Sequence, residues 1–323
     1  MNHADSPPAL IDVAAAVVQQ ADGRVLLAER PDGKPWAGYW EFPGGKIEPG
    51  EQPLAALARE LHEELGIELD AATRWITFTY AYPEKHVRLH FFRVQRWHGE
   101  PYGREGQRLA WEQPDALTVS PLLPANASVL QALNLPPVYA ITQAGKLGVE
   151  EFMLRLQAAL ERGVRLIQVR ERNMAPEAYT RFAQRVVEIA HRYGARVLVN
   201  GDATVAKNAG ADGVHLPGQQ LLRLAAPPGD FWAASCHDAR ELERAAELGA
   251  SFVVLSPVLP TASHPGEAGI GWEKFASLIR GYPLPVYALG GMQVDLLDTA
   301  MQHGAHGMAL LSGIWPAARD AAP

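Results

Sequence analysis

The stretch from Gly44 to Ile67, GGKIEPGEQPLAALARELHEELGI, constrains this chain more than any other. It carries a double glycine, Glu51, the run Arg59-Glu60-Leu61, the pair Glu63-Glu64 and a closing Gly66-Ile67. Pro53 suits the first turn of a helix, and Gly66 suits the residue just past its last turn. At about 100° per residue, Leu54, Leu57, Leu61 and Leu65 share one arc of that helix. Glu60, Glu63 and Glu64 share another, well away from the leucines. Like charges at this spacing cost roughly 0.2–0.5 kcal/mol per pair on an isolated helix. A divalent cation removes that repulsion, and carboxylate oxygens are what Mg²⁺ prefers. Taken alone, the three glutamates also fit a solvated acidic face. The Gly44-Gly45 turn, Glu51 and Arg59 at fixed offsets point to the cation.

Written as G-x5-E-x7-R-E-U-x-E-E-x-G-U, with U a bulky aliphatic, the stretch resembles a complete Nudix box. That resemblance implies a loop–helix–loop that binds Mg²⁺, with Mn²⁺ as the alternative ion. It also implies hydrolysis of a nucleoside diphosphate linked to another group.

Bulk properties bound the rest. At 323 residues the chain is comfortable for two domains. It is 48% apolar and 20% charged, ordinary for a globular protein. A net charge of −7 argues against a nucleic-acid polymer as partner, since such grooves are basic. The single cysteine, Cys236, rules out an internal disulfide framework and fits a reducing cytoplasm. The opening MNHADSPPALID has no charged-then-apolar leader pattern, and no run approaches a membrane-spanning length, so no membrane partner is expected.

Along the first half, Val13–Gln19, Arg24–Glu29, Trp75–Tyr82 and Val87–Arg96 read as strands, with a hairpin turn at Asp22-Gly23. A late helix is expected near Ala127–Leu133. The flanks of the box resemble one branch of the family, the MutT-type 8-oxo-dGTP diphosphatases. The matching stretches are WEFPGGKIEPGE, Pro83-Glu84-Lys85-His86, Arg96-Trp97-His98-Gly99-Glu100-Pro101, Gly103-Arg104-Glu105-Gly106-Gln107 and Pro124-Ala125-Asn126. They cover about residues 10–135 and imply a mixed β-sheet packed between helices.

The resemblance implies roles residue by residue. The Gly44 carbonyl and the carboxylates of Glu60, Glu63, Glu64 and Glu105 would hold the cations. One box glutamate would orient or deprotonate the attacking water, with Glu60 the first choice. Arg59 would anchor the box by pairing with an acid such as Glu51. Phe42 would lie against the base, Asn126 would bond the purine edge, and Arg30 with Lys85 would face the nucleotide. An Asn side chain offers a donor and an acceptor in one plane. Two other readings stay open: Phe42 as plain core, and Asn126 as a helix N-cap. Lys85 stands where the branch often has arginine, which weakens contacts that need a planar fork.

After the joint Asn134-Leu135-Pro136-Pro137 the rhythm changes, placing domains at 1–135 and 136–323. Eight short apolar runs follow, at Val138–Thr142, Leu166–Arg170, Arg196–Asn200, Gly213–Leu216, Trp232–Cys236, Phe252–Ser256, Val286–Gly290 and Gly307–Ser312. Each but the last leaves room for a helix. The expected fold class is thus α/β throughout: a Nudix fold followed by a (β/α)8 TIM barrel. The barrel resembles the thiamin phosphate synthase and TenI (thiazole tautomerase) family. The resemblance rests on Gln168-Val169-Arg170-Glu171-Arg172, Val199-Asn200-Gly201-Asp202, Ala211–Leu216, Ser235-Cys236-His237, Ser256-Pro257-Val258 and Ala288–Met292.

Gly290, Gly291 and Ser312 follow the last two strands, where such barrels bind phosphate. Glycine turns are the alternative there. The synthase pattern wants lysine at Arg172 and at His264, and an aspartate soon after His215-Leu216, where Pro217-Gly218-Gln219-Gln220 stands. Expelling pyrophosphate needs that metal and that charge. A TenI-like role on a thiazole phosphate needs less, with His237 as acid/base or, in the other reading, as a structural or inert histidine. A retired barrel that senses a ligand or makes an oligomer is the other reading. A thiamin-related diphosphate is the rival substrate for the first half.

Overall fold

The computed structural model describes residues 10–261 and 268–316. It separates into two compact units, residues 1–134 with 280–283, and residues 135–279 with 284–323.

The first unit begins with β1 (Leu10–Val18) and β2 (Val25–Glu29), joined by a turn in which the Gly23 N–H donates to the Gln20 carbonyl. Next come two short strands, β3 (Trp40–Glu41) and β4 (Gly44–Lys46), then the helix α1 (Pro53–Leu65). Two long strands follow, β5 (Glu68–Ala81) and β6 (His86–His98), then β7 (Leu109–Glu112). A single 3-10 turn, Pro124–Asn126, leads into α2 (Ala127–Leu133). The strands form a four-stranded sheet in the order β4-β1-β6-β5 and a three-stranded one in the order β3-β2-β7.

Alternation explains why β1 reads as one apolar run: both of its faces are covered. Ala14, Ala16 and Val18 pack with Leu57, Leu61 and Leu65 of α1. Ala15 and Val17 face the other way, into a core with Phe42, Phe91 and Val129. The helix keeps its expected ends, with Pro53 in the first turn and Gly66 left-handed at φ 67°, donating to the His62 carbonyl. Leu54 departs from the expectation. Its angle is right, but it stands in the first turn, belongs to neither apolar cluster and is 45% exposed.

The double glycine also departs, being a strand rather than a turn. Gly44 and Gly45 pair antiparallel with Ala15 and Ala14 of β1. A Cβ on Gly44, at φ +142°, would stand 2.1 Å from the Ala14 carbonyl oxygen. The approach of the two backbones needs a residue without a side chain.

The second unit is a closed barrel of eight parallel strands in sequence order. They are β8 (Val138–Ile141), β9 (Leu166–Val169), β10 (Arg196–Asn200), β11 (Gly213–Leu216), β12 (Trp232–Cys236), β13 (Phe252–Leu255), β14 (Val286–Ala288) and β15 (Gly307–Leu310). Between them run α3 (Ala144–Leu147), α4 (Val149–Glu161), α5 (Pro176–Arg192), α6 (Ala203–Ala209), α7 (Gly218–Leu221), α8 (Ala239–Glu247), α9 (Gly271–Leu278) and α10 (Leu297–Gln302). All eight expected runs are strands. The interior is filled rather than hollow: Tyr139, Phe252 and Tyr287 pack against one another with ring centroids 5.1–5.9 Å apart.

Candidate functional site

A cavity of about 450 Å³ opens in the first unit beside the double glycine. Its floor is Gly44, Gly45, Glu60 and Glu64, and its walls include Arg30, Lys34, Trp36, Glu41, Tyr82 and Lys85. A Cβ on Gly45 would lie 2.2 Å from the Glu60 carboxyl carbon, so glycine is what admits that carboxylate. The Gly44 N–H donates to Glu64 Oε2 at 3.4 Å. Burial, and then the neighbouring charge of Glu60, push the Glu64 carboxyl up to about 7. Two hard oxygen donors are thus held close together at a desolvated floor, a donor set that suits Mg²⁺.

The other expected ligands lie elsewhere. Arg59 makes a two-pronged contact with Glu51 (3.1 and 2.9 Å) and also reaches Glu60 at 2.8 Å and Glu63 at 3.3 Å. Glu63 is half exposed and does not line the cavity. Glu105 pairs with Lys34 at 2.5 Å. Among the described residues, no three acidic, histidine or cysteine side chains gather into a ready metal cage. Of the three box glutamates and Glu105, the structure brings Glu60 and Glu64 to the cavity, while Glu63 and Glu105 are engaged by Arg59 and Lys34.

Glu105 is nonetheless fixed close by. The N–H groups of Tyr102 and Arg104 donate to the Leu65 and Glu64 carbonyls (3.1 and 3.0 Å). Gln107 Nε2 donates to Glu64 O (3.0 Å) and Arg104 Nη1 to His62 O (2.8 Å). The Glu64 and Leu65 carbonyls lie at the end of α1, where the helix offers them no N–H of its own; the His62 carbonyl accepts from Gly66 as well. The loop that carries Glu105 is in this way clamped to the box.

On the base side the structure revises the expectation. Phe42 is 3% exposed, packs edge-on to Phe91 and does not line the cavity; it is core. The aromatic wall is made by Trp36 and Tyr82, with ring centroids 5.9 Å apart. Trp36 is 40% exposed and holds φ at +63°, a conformation that costs a bulky residue of order 1 kcal/mol or more. Sequence reasoning missed Trp36; its signal was an aromatic inside a Pro/Gly-rich loop.

Asn126 sits where an N-cap would, but its backbone is right-handed helical and its side chain makes no cap bond. Like Phe42 it is 3% exposed and does not line the cavity, but its Nδ2 has no hydrogen-bond partner among the described residues. The capping alternative is thereby excluded. The neighbouring Ala125 backbone hydrogen-bonds the Tyr82 hydroxyl, which ties this turn to the cavity wall. Arg30 is engaged with the Glu41 carboxylate and donates from Nε to the Pro35 carbonyl at 2.7 Å. Lys85 lines the cavity with no ion pair among the described residues.

In the barrel, His237 follows β12 and gains a partner that the sequence did not reveal. Its Nδ1 lies 2.8 Å from Glu241 Oε2, which also accepts the His237 backbone N–H at 2.7 Å. Asp238 caps α8 and accepts the Glu241 N–H at 2.9 Å. The sequence D-A-R-E is thus a capping box whose glutamate reaches one residue further back, to His237. Glu241 is 9% exposed, and a Cβ on Gly218 would stand 2.2 Å from its Oε1. A side chain at 218, close to where the synthase pattern wants its aspartate, would have to push the Glu241 carboxylate aside.

Gly290 (φ +100°) and Gly291 (φ +68°) lie against the Pro257–Pro260 segment, where a Cβ would come within 2.8 and 2.7 Å of neighbouring atoms. Glycine there has a conformational reason of its own. Ser312 is exposed after β15. His264 lies outside the described residues. His215 is fully buried between the Tyr139 hydroxyl (3.2 Å) and Ser235 Oγ (2.8 Å). Burial and the charge of Arg170 pull it down to about 3, so it is a neutral packing residue.

Among the described residues no helix is long and apolar enough to cross a membrane. The NUDIX domain profile matches residues 10–133, and the thiamine monophosphate synthase (TMP-TENI) profile matches 138–314. An 8-oxo-dGTP diphosphatase of Haemophilus influenzae is 41% identical over 124 residues, 38% of this chain and 91% of that protein. A CTP pyrophosphohydrolase of Escherichia coli is 40% identical over 38% of this chain and 90% of its own length. A putative thiamine-phosphate synthase 2 of Aquifex aeolicus is 33% identical over 56% of this chain and 98% of its own. The chain therefore belongs to two families at once, as a Nudix pyrophosphohydrolase domain followed by a barrel of the thiamine monophosphate synthase family.

Proposed function

We propose that the Nudix unit hydrolyses 8-oxo-dGTP to 8-oxo-dGMP and pyrophosphate, using Mg²⁺ or Mn²⁺. The observation that carries this is the Glu60–Glu64 pair at the floor of the cavity, which the glycine strand makes room for. Bound by these carboxylates and the Gly44 carbonyl, the cation would offset phosphate charge and activate water. The chain's own residues supply the rest. Lys85 faces the polyphosphate, and Arg30, steadied by Glu41, shapes the wall beside it. Glu64, with its carboxyl near neutrality, is better suited than Glu60 to accept a proton from water, because Arg59 engages Glu60. Trp36 and Tyr82 stack on the base, and Asn126 offers its unmet donor to the purine edge. In a reducing cytoplasm this reaction would keep an oxidised purine out of DNA.

Asn126→Ala tests the recognition arm. It removes a buried donor without a partner, so the fold should be no less stable. KM for 8-oxo-dGTP should rise roughly tenfold, as the loss of one hydrogen bond implies. An unchanged KM removes Asn126 from recognition.

A second reading concerns the barrel, and the His237–Glu241 pair favours it. Glu241 fixes Nδ1 and leaves Nε2 to shuttle a proton on a thiazole phosphate, with Gly290, Gly291 and Ser312 at the phosphate end. Isomerisation of a thiazole phosphate should fall roughly 10²–10⁴-fold in His237→Ala, the usual worth of an acid/base group. Equal rates would leave the barrel as a binding or oligomerisation module.

A further inference from the structure

Lys34 stands where a cation is wanted. Its Nζ is 2.5 Å from Glu105 Oε2, and both side chains are a little under half exposed. Lys34 lines the cavity together with Glu64 and Glu41, and its charge draws both carboxyls down. The two partners are held differently. Glu105 rides on the loop clamped to the end of α1 by four hydrogen bonds. Lys34 projects on a flexible four-carbon stem from the 31–38 loop, whose bonds are local: Lys34 N–H to Pro31 O, Gly38 N–H to Arg30 O and Arg30 Nε to Pro35 O.

An exposed ion pair of this kind contributes little to stability. A divalent ion on Glu105 would repel an ammonium in contact with the same carboxylate, whereas a polyphosphate attracts it. We propose that the Lys34 ammonium holds the cation position at Glu105 and passes to the substrate's polyphosphate when a divalent ion takes that carboxylate. One side chain then couples metal loading to substrate capture. This rests on the hydrolase reading of the site.

The test titrates Mn²⁺ alone into the full chain without nucleotide, following free Mn²⁺ by electron paramagnetic resonance. Lys34→Met should bind Mn²⁺ about two- to fivefold more tightly, the value of losing one exposed competing charge. Glu105→Gln should abolish that gain. In the presence of Mn²⁺, KM for 8-oxo-dGTP should rise in Lys34→Met on the order of tenfold, and Lys34→Arg should restore it. Equal or weaker Mn²⁺ binding by Lys34→Met, or an unmoved KM, overturns this inference and leaves the hydrolase reading standing. Failure of the wild type to bind Mn²⁺ overturns both.

Discussion

Glu64→Gln is expected to abolish turnover while making the cation-free protein more stable. The Glu64 carboxyl sits at about 7 against an ordinary 4.5, because burial and Glu60 both disfavour its charge. A group raised in this way favours the folded state fully below about pH 4.5, and that contribution is lost as pH rises through 7. At about 1.4 kcal/mol per unit, the charged form costs on the order of 2 kcal/mol at pH 8 once partial exposure is allowed for. Melting in EDTA should therefore show the wild-type Nudix transition weakening from pH 5 to pH 8, and the Gln variant holding steady. Turnover with Mg²⁺ should fall by at least 10²–10⁴, since a cation donor and a candidate proton acceptor disappear together. A variant that is both active and pH-insensitive contradicts the assignment.

The two adjacent glycines are expected to fail in opposite ways. Alanine at 44 meets backbone, the Ala14 carbonyl at 2.1 Å, from a φ that L-residues avoid. The strand must move, and a loss of about 3 kcal/mol or more from the Nudix transition is expected. Alanine at 45 meets only the end of the Glu60 side chain at 2.2 Å. That carboxylate can swing away, so stability should change by about 1 kcal/mol or less. Activity should still drop roughly 10²-fold, the cost of displacing a reacting group by about an ångström. Calorimetry and turnover on the two variants separate the effects. Equal damage to both properties at both positions would count against the geometry.

How much was readable in the chain depends on what kind of signal a residue leaves. The box helix was readable because Pro53, Gly66 and three buried leucines mark ends and period together. Leu54 obeyed the same period yet is exposed, because periodicity reports angle and not depth. The eight barrel strands were readable as separate apolar runs. β4 was not, because glycines carry no pattern, and its pairing is dictated by the Ala14–Ala15 backbone. Asn126 could be sorted only by its dihedrals and missing partner, and Phe42 only by its burial. The acids of the box and the pairing of Arg59 with Glu51 were visible, but the further reach of Arg59 to Glu60 and Glu63 and the Lys34–Glu105 pair were not. Lys34 and Glu105 are 71 positions apart, a distance across which one sequence says nothing about contact. The partner of His237 likewise needed coordinates, since it is Glu241 four residues on that bonds both its ring and its backbone N–H.

The central claim is that this cavity selects an oxidised purine triphosphate and cuts it to a monophosphate. Its most direct test is ³¹P NMR of the products, with kcat/KM, for 8-oxo-dGTP, dGTP, CTP and thiamin diphosphate, with and without Mg²⁺. Pyrophosphate and 8-oxo-dGMP are expected, only with the cation, with the highest kcat/KM for 8-oxo-dGTP. Release of orthophosphate, or a preference for CTP or thiamin diphosphate, would contradict it.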